Sequence, residues 1–467
     1  MAYRRLHAEA IDFTALRREL QLPDAFPPAV QAQAQAAAAE VKLPDADRTD
    51  LPFVTVDPPG SRDLDQAVCL FRRDGGYRVH YAIADVAAYV APDSPLEAET
   101  WRRGQTIYLP DGKVPLHPPV LSEGAVSLLP GVDRAAVVWT IDVSADGDTV
   151  GVQLQRARVR SRAKLAYEGV QADVDKGALA EPIALLPELG RLLIARGLER
   201  GAINLPMPEQ EIEPHGDGWQ LRLRAPLPAE EWNAQISLLT GRAAADIMLA
   251  GRIGLLRTMP APDPEAVARL RIAAKGLGVD WPDGMTVGQV LAGLDPAQPK
   301  HAAFVDEAAE LLRGAGYTPF AGQLPEQPEH SAVAAAYAHV TAPLRRLADR
   351  YVTEVCLALH DGREVPAWAA AALPELPAVM SGTDRVSSAA ERGAIDLVEA
   401  TILADRIGEA FPATVLDTNH GKPGGTVALT EPAVRARCDG QLTAGDQITV
   451  RLTQADPAKR LVRFTLA

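Results

Sequence analysis

The sequence predicts an α+β fold: a strand-rich half, then a helical half, preceded by a small helical module and followed by a five-stranded barrel of the OB type. Three observations carry that expectation. After Leu51, runs such as "PFVTV", "YRVHYAIADVAAYV" and "AAVVWTIDVSADGDTVGVQLQRARVR" are rich in β-branched and aromatic residues and punctuated by the turn signals "DGG" and "DGD". From "SRAKLAYEGV" onward the apolar spacing becomes three and four, as in "EWNAQISLLTGRAAADIMLAGRIGLL" and "LRRLADRYVTEVCLALH". The tail returns to short strands, "ATVLDTN", "GTVALTE", "VRARCDG", "DQITVRLTQAD" and "RLVRFTLA", separated by Gly, Asn and Asp-Pro.

Taken in chain order, residues 1–48 read as the helical module. Ile11, Leu16 and Leu20 form a rough helical stripe, "LPDAFPPAV" interrupts it, and "VQAQAQAAAAEV" has high helix propensity. These residues form either a packed module or a linker helix. Residues 49–405 read as one α+β domain, ending in the helix "RVSSAAERGAIDLVEATILADRIG". Residues 409–467 form the barrel. Residues 411–467 carry seven basic against five acidic side chains, although the whole chain has net charge −14. A mildly basic OB barrel suits single-stranded nucleic acid or an oligosaccharide.

Composition narrows the class. With 47% apolar and 23% charged residues among 467, the chain can bury a sizeable core. No apolar run approaches the roughly 18 residues of a membrane span, and the start, "MAYRRLHAEAIDF", meets His7, Glu9 and Asp12 before any apolar stretch, unlike a signal peptide. Cys69, Cys356 and Cys438 are sparse, odd in number and far apart, which favours a reducing, cytoplasmic setting over disulfides or a zinc site. The acidic balance disfavours coating nucleic acid but is compatible with basic groups confined to a channel.

Two stretches carry chemistry. In "TVDPPGSRDLDQAV", Asp57 ends a strand, Pro58, Pro59 and Gly60 turn the chain, and Asp63 and Asp65, two apart, face one side of an extended segment. Three hard oxygen donors converging there suit Mg2+ or Mn2+, with the Gln66 amide oxygen as a further ligand. The residues alone leave open a plain Asp-rich turn that caps backbone N–H groups. In "YAHVTAPLRRLADRYV", Pro343 starts a helix and puts Arg345 and Arg346 in its first turn, where a helix does not favour cations. An anionic ligand or an ion pair with Asp349 accounts for them equally well.

Those two stretches, with "YAIADVAAYV" and "TIYLPDGKVPLHPPVLSEGAVSLLPGVDR" between them, in this order and spacing, resemble the catalytic (RNB) domain of the ribonuclease II and ribonuclease R family over about residues 50 to 405. The tail resembles the S-one-type OB barrel that ends those enzymes. The resemblance implies a processive, hydrolytic, Mg2+-dependent 3′-to-5′ exoribonuclease that converts single-stranded RNA, and RNA with 3′ overhangs, to nucleoside 5′-monophosphates. Carried over by position, it implies that Asp57, Asp63, Asp65 and Arg345 are catalytic. Asp57, Asp63 and Asp65 would hold the metal with Gln66, which stands where the family has a fourth aspartate. Tyr108 would stack on the 3′-terminal base, and Arg346 and Glu391 would assist substrate binding.

Leu205 and Asn233 depart from the aromatic and the glutamate of the ribonuclease II type, which implies a differently built clamp. The usual pair of N-terminal cold-shock barrels is not expected, so the RNA entrance should be less enclosed. The chain is expected to act as a monomer. Gln66 keeps an alternative open, an RNA-binding regulator with a degenerate site. A metal-dependent sugar transferase reading of "DLD" lacks any accompanying nucleotide-sugar signature.

Overall fold

The computed structural model describes residues 7–8, 11–216, 218–419 and 423–467. Its centre is a six-stranded sheet ordered Thr149–Arg160, Asp133–Ser144, Gly76–Ala84, Gln66–Arg73, Val54–Asp57, Ala163–Ala166. Neighbours are antiparallel except the last pair, which is parallel and sets Asp57 beside Ala166. The expected turns fall where the hairpins close: Gly75 and Gly147 both take positive φ, which costs glycine little.

Alternation along the strands splits the core into two layers. Val68, Leu70, Val79, Tyr81, Trp139 and Ile141 point toward the helices Leu186–Arg200, Pro228–Gly251 and Leu347–His360. On the other face, Ala67, Cys69, Ala82, Ala136 and Ala157 are small, and Val30 and Ala34 of the helix Pro28–Glu40 share their cluster. All three cysteines are buried free thiols.

The helix Leu347–His360 is buried throughout residues 347–358. A helix apolar on every side belongs in a core, yet this one carries Asp349, Arg350 and Glu354. Each is paired: Asp349 with Arg346, Arg350 with Glu97, and Glu354 with Arg156. Removing one partner of such a pair strands a buried charge, at a cost of about 3–5 kcal/mol.

The N-terminal helices form as the periodicity predicts, but have no core of their own. Phe13 and Leu16, at the helix Thr14–Glu19, join Ile107, Leu109, Val114 and the helix Leu376–Leu403. Arg17 pairs with Asp111, and Glu19 with Arg460 of the terminal barrel. Residues 1–6 and 9–10 of the expected module lie outside the described residues.

The tail is a closed barrel, ordered Ala410–Thr418, Gly425–Ala428, Arg435–Asp439, Leu461–Leu466, Gln447–Asp456. Ala400 and Leu403 of the long helix extend into its core. The helical half also holds strands that the periodicity did not mark: the hairpin Glu209–His215 with Gly218–Arg224, and Ile253–Thr258 paired with the distant Gly316–Ala321.

Candidate active site

The strand Val54–Asp57 delivers Asp57 to one end of the sheet, and the chain reverses over the two prolines, with Ser61 N–H donating to the Pro58 carbonyl. Two side chains fix the loop that follows. Lys164 donates to the carbonyls of Pro59 and Ser61 at 2.6 and 2.5 Å. Ser127 Oγ donates to the Arg62 carbonyl at 2.6 Å and accepts from Leu64 N–H at 2.9 Å. Leu64 is fully buried in the alanine-lined core, so its neighbours Asp63 and Asp65 are turned the other way. The expectation that the "DLD" carboxylates share a side is met, because the residue between them is an anchor.

Opposite them runs the segment before the helix Leu347–His360. Leu344 N–H donates to Asp65 Oδ1 at 2.7 Å, and Arg345 Nε stands 3.9 Å from Asp65 Oδ2. Residues 343–345 form a turn, with Arg345 and Arg346 N–H both donating to the Ala342 carbonyl, and Arg346 then bridges to Gln105: Thr106 N–H donates to the Arg345 carbonyl and Leu347 N–H to the Gly104 carbonyl. Gly104, at φ 66, permits the close approach of the long helix, since a Cβ there would lie 2.5 Å from the Thr383 methyl. The helix therefore begins at Leu347, after both arginines, and not at Pro343 as the sequence suggested. A single turn forms after Pro343, and the pairing of Arg346 with Gln105 separates it from the helix.

The two arginines diverge, Arg345 closing the turn and Arg346 taking extended backbone. Arg345 turns to the carboxylates with its side chain 44% exposed. Arg346 turns inward and is held at both ends of the Asp349 carboxylate, at 2.9 and 2.8 Å. Of the two explanations for the arginine pair, the ion pair accounts for Arg346 and an anionic ligand remains open for Arg345 alone.

Asp57, Asp63, Asp65, Gln66, Tyr108, Tyr167 and Arg345 line one cavity of about 300 Å3. Tyr108 is half-exposed at its rim, its hydroxyl donating to Asp63 Oδ2 at 3.3 Å. Lys113, cross-strand from Tyr108 in the hairpin Ile107–Leu109 with Gly112–Val114, reaches Asp63 Oδ1 at 2.8 Å and Glu123 at 3.0 Å. Burial pushes the Asp57 carboxyl up to about 6 and the Asp65 carboxyl up to about 8, with Arg345 opposing both shifts. Asp57 Oδ2 is buried without a hydrogen-bond partner among the described residues.

Those carboxyls are short of positive charge, and an orphaned carboxylate oxygen in a polar cavity is what a hard cation would satisfy. Asp57, Asp65 and the Gln66 amide oxygen, which has no donor among the described residues, fit Mg2+ or Mn2+ by chemistry and charge. Among the described residues, no three acidic, histidine or cysteine side chains already stand at metal-holding distances, and Asp63 is engaged by Lys113. Gln66 differs from expectation in one respect: its amide nitrogen donates to the Thr341 carbonyl, tying the aspartate strand to the arginine segment. An ionised carboxylate has no proton to make that bond.

Glu391 does not line this cavity. It lies in an adjoining cleft of about 220 Å3, with Tyr108, Gln210, Arg224 and Ile395, so that Tyr108 separates the two spaces. Sequence reading missed Tyr167 and Lys113. Lys113 was within reach, because the "LPDG" turn makes it the cross-strand partner of Tyr108. Tyr167 follows directly on Ala166, the residue in register with Asp57, and Asn233 Nδ2 donates to its hydroxyl at 3.3 Å. Only the parallel pairing reveals that placement.

Residues 46–360 match the RNB domain model, and residues 409–467 match the RNase II-type exonuclease C-terminal S1 domain. The chain belongs to the RNB family. Ribonuclease R of Escherichia coli is 29% identical over 447 residues, covering 87% of this chain and 53% of that protein, so this RNB chain spans about half the length of that relative. Mycoplasma genitalium RNase R, solved in complex with ribose methylated single-stranded RNA, superposes with a TM-score of 0.85 at 22% identity, covering 97% of this chain and 77% of that one. Yeast Ssd1, described as a pseudonuclease, superposes at 0.70 and 15% identity over 89% of this chain and 54% of its own. These superpositions share the fold; whether an RNB site cuts depends on its side chains.

Proposed function

We propose that this RNB chain is a processive 3′-to-5′ exoribonuclease that hydrolyses single-stranded RNA to nucleoside 5′-monophosphates, acting as a monomer in the cytoplasm. The observation that carries the reading is the cavity itself: Asp57, Asp63 and Asp65 face the partly exposed guanidinium of Arg345, with a half-exposed aromatic, Tyr108, beside them. The exposed ring of Tyr108 suits stacking on the terminal base. Arg345 offers a fork to the scissile phosphate and stabilises the charge that builds on it. Water attacks that phosphorus, the bond to the preceding 3′ oxygen breaks, and the oxygen leaves with a proton as the new 3′-hydroxyl. The terminal nucleotide keeps the phosphate on its 5′ side.

When bound, a Mg2+ or Mn2+ ion would supply Lewis acidity toward the water and the phosphate, and Asp57, Asp65 and Gln66 are the residues that would hold it. Lys164 and Ser127 keep the aspartate loop in place without entering the cavity. No helix among the described residues is long and apolar enough to cross a membrane. Strands with a 3′ overhang are included as substrates because a single strand is all the cavity must admit. Labelled single-stranded RNA incubated with Mg2+ tests the reading by the appearance of mononucleotides.

Gln66 favours a second reading, an RNA-binding regulator that uses the same cavity without cutting. Its amide removes one negative charge and is engaged with Thr341. Binding without product, indistinguishable from Asp65→Asn, would select that reading.

A further inference from the structure

A basic cleft lies apart from the acidic candidate site and shares none of its lining residues. It encloses about 460 Å3 between the strand Gly316–Ala321 and the helix Leu376–Leu403, and Arg257, Arg385 and Arg392 line it, with Asp384 the one carboxylate among its lining residues. Their local partners leave the arginines largely free. Arg257 stands 3.6 Å from Asp384 and stacks on the Tyr317 ring at 4.7 Å. Among the described residues, Arg385 bonds only the Ser381 hydroxyl of its own helix, at 2.9 Å. Arg392 forms no ion pair among the described residues.

The cleft neighbours the arginine segment of the candidate active site through Tyr317 and His339. Tyr317 feels the charges of both Arg346 and Arg257, and its hydroxyl meets His339 Nδ1 at 2.7 Å. His339 in turn lies in the field of Arg345, Arg346 and Arg257. Within the cleft itself, positive charge runs along one face of the helix through Arg385 and Arg392. Arg385 and Arg392 are two turns apart there, roughly 10 Å at 1.5 Å per residue, with the Ser388 hydroxyl between them.

The geometry points to a phosphate-binding subsite in this cleft, in which Arg385 and Arg392, with Arg257 and Ser388, grip phosphate groups of a nucleotide ligand. That ligand is either the RNA strand being degraded or the mononucleotide released. The planar guanidinium forks match phosphate oxygens, and the volume is that of a small-molecule site. The inference rests on the exoribonuclease reading for its ligand.

The test uses the full chain with both exposed arginines reversed, Arg385→Glu and Arg392→Glu, beside Arg363→Glu as a control for charge elsewhere. In chelator, affinity for a fluorescent single-stranded RNA is measured across salt concentrations, and affinity for a nucleoside 5′-monophosphate by titration calorimetry. A tenfold or greater loss of RNA affinity, with a log–log salt slope shallower by about 1.4, assigns the cleft to the strand, since each phosphate contact on single-stranded nucleic acid contributes about 0.7. Loss of mononucleotide binding with RNA affinity intact assigns it to the product. Both affinities equal to those of the Arg363→Glu control overturn the inference. Should the parent protein bind RNA without cutting it, the proposed activity fails while the affinity comparison still decides on the cleft.

Discussion

Neighbouring arginines should give opposite phenotypes. Arg345 is 44% exposed, and its one ion pair, to Asp65, is long at 3.9 Å. Replacing it with alanine should therefore leave the fold intact, while removing the only guanidinium that lines the cavity. A preorganised donor aimed at developing charge contributes about 3–4 kcal/mol, so the cleavage rate should fall about 100- to 1,000-fold. Arg345→Lys, which keeps the charge but loses the fork, should recover part of it. Arg346→Ala should instead strand Asp349, which is fully buried, at a cost of about 3–5 kcal/mol, and yield little folded protein. Single-turnover cleavage of end-labelled RNA at saturating enzyme, with circular-dichroism melts of each variant, separates the two effects. The reasoning is refuted if Arg345→Ala loses less than tenfold in rate, or if Arg346→Ala melts like the parent and loses only activity.

Two other perturbations follow from the same structure. Tyr108→Ala should weaken binding of short oligonucleotides by about 1–3 kcal/mol, the worth of one base stack, while Tyr108→Phe should keep it; fluorescence anisotropy on tri- to pentanucleotides reads the difference, and equal losses in both variants would assign the effect to the Asp63 bond. Glu399 is buried where the long helix meets the barrel, accepts from Gln210 Nε2 and Arg435 N–H, and is pushed by burial from its ordinary 4.5 up to about 7. The folded state thus holds a proton that the unfolded chain has lost between those values, and stability falls as pH rises through that window, by up to about 1.4 kcal/mol per pH unit. Glu399→Gln should escape the decline, so its melting temperature should gain on the parent's from pH 5 to pH 8; parallel profiles would contradict the assignment.

Elements whose signal is local were legible in the sequence. The central hairpins announced themselves through alternation and Asp-Gly turns, and the terminal barrel through short strands between breakers. The aspartate turn was legible too, because a strand, a Pro-Pro-Gly break and "DLD" are each local, with Leu64 as the unrecognised anchor. What escaped depends on contacts between distant residues. The start of the helix after Arg346 is set by pairing with residues 104–106, which competes with the proline signal at Pro343. The hairpin Glu209–His215 with Gly218–Arg224 and the pair Ile253–Thr258 with Gly316–Ala321 lie among helices, and their pairing is settled by tertiary packing rather than by strong alternation. Glu391 was expected near the site by resemblance, and helix geometry sets it in the cleft that shares Tyr108 with the aspartate cavity.

The central claim is that the acidic bend and Arg345 form a cation-dependent phosphodiester-cutting site. It is tested most directly by following release of nucleoside 5′-monophosphates from labelled single-stranded RNA in Mg2+, in chelator, and in Asp65→Asn with Mg2+. Mononucleotides should accumulate only in the first reaction, with RNA binding retained in the third. Equal release in all three would contradict the account.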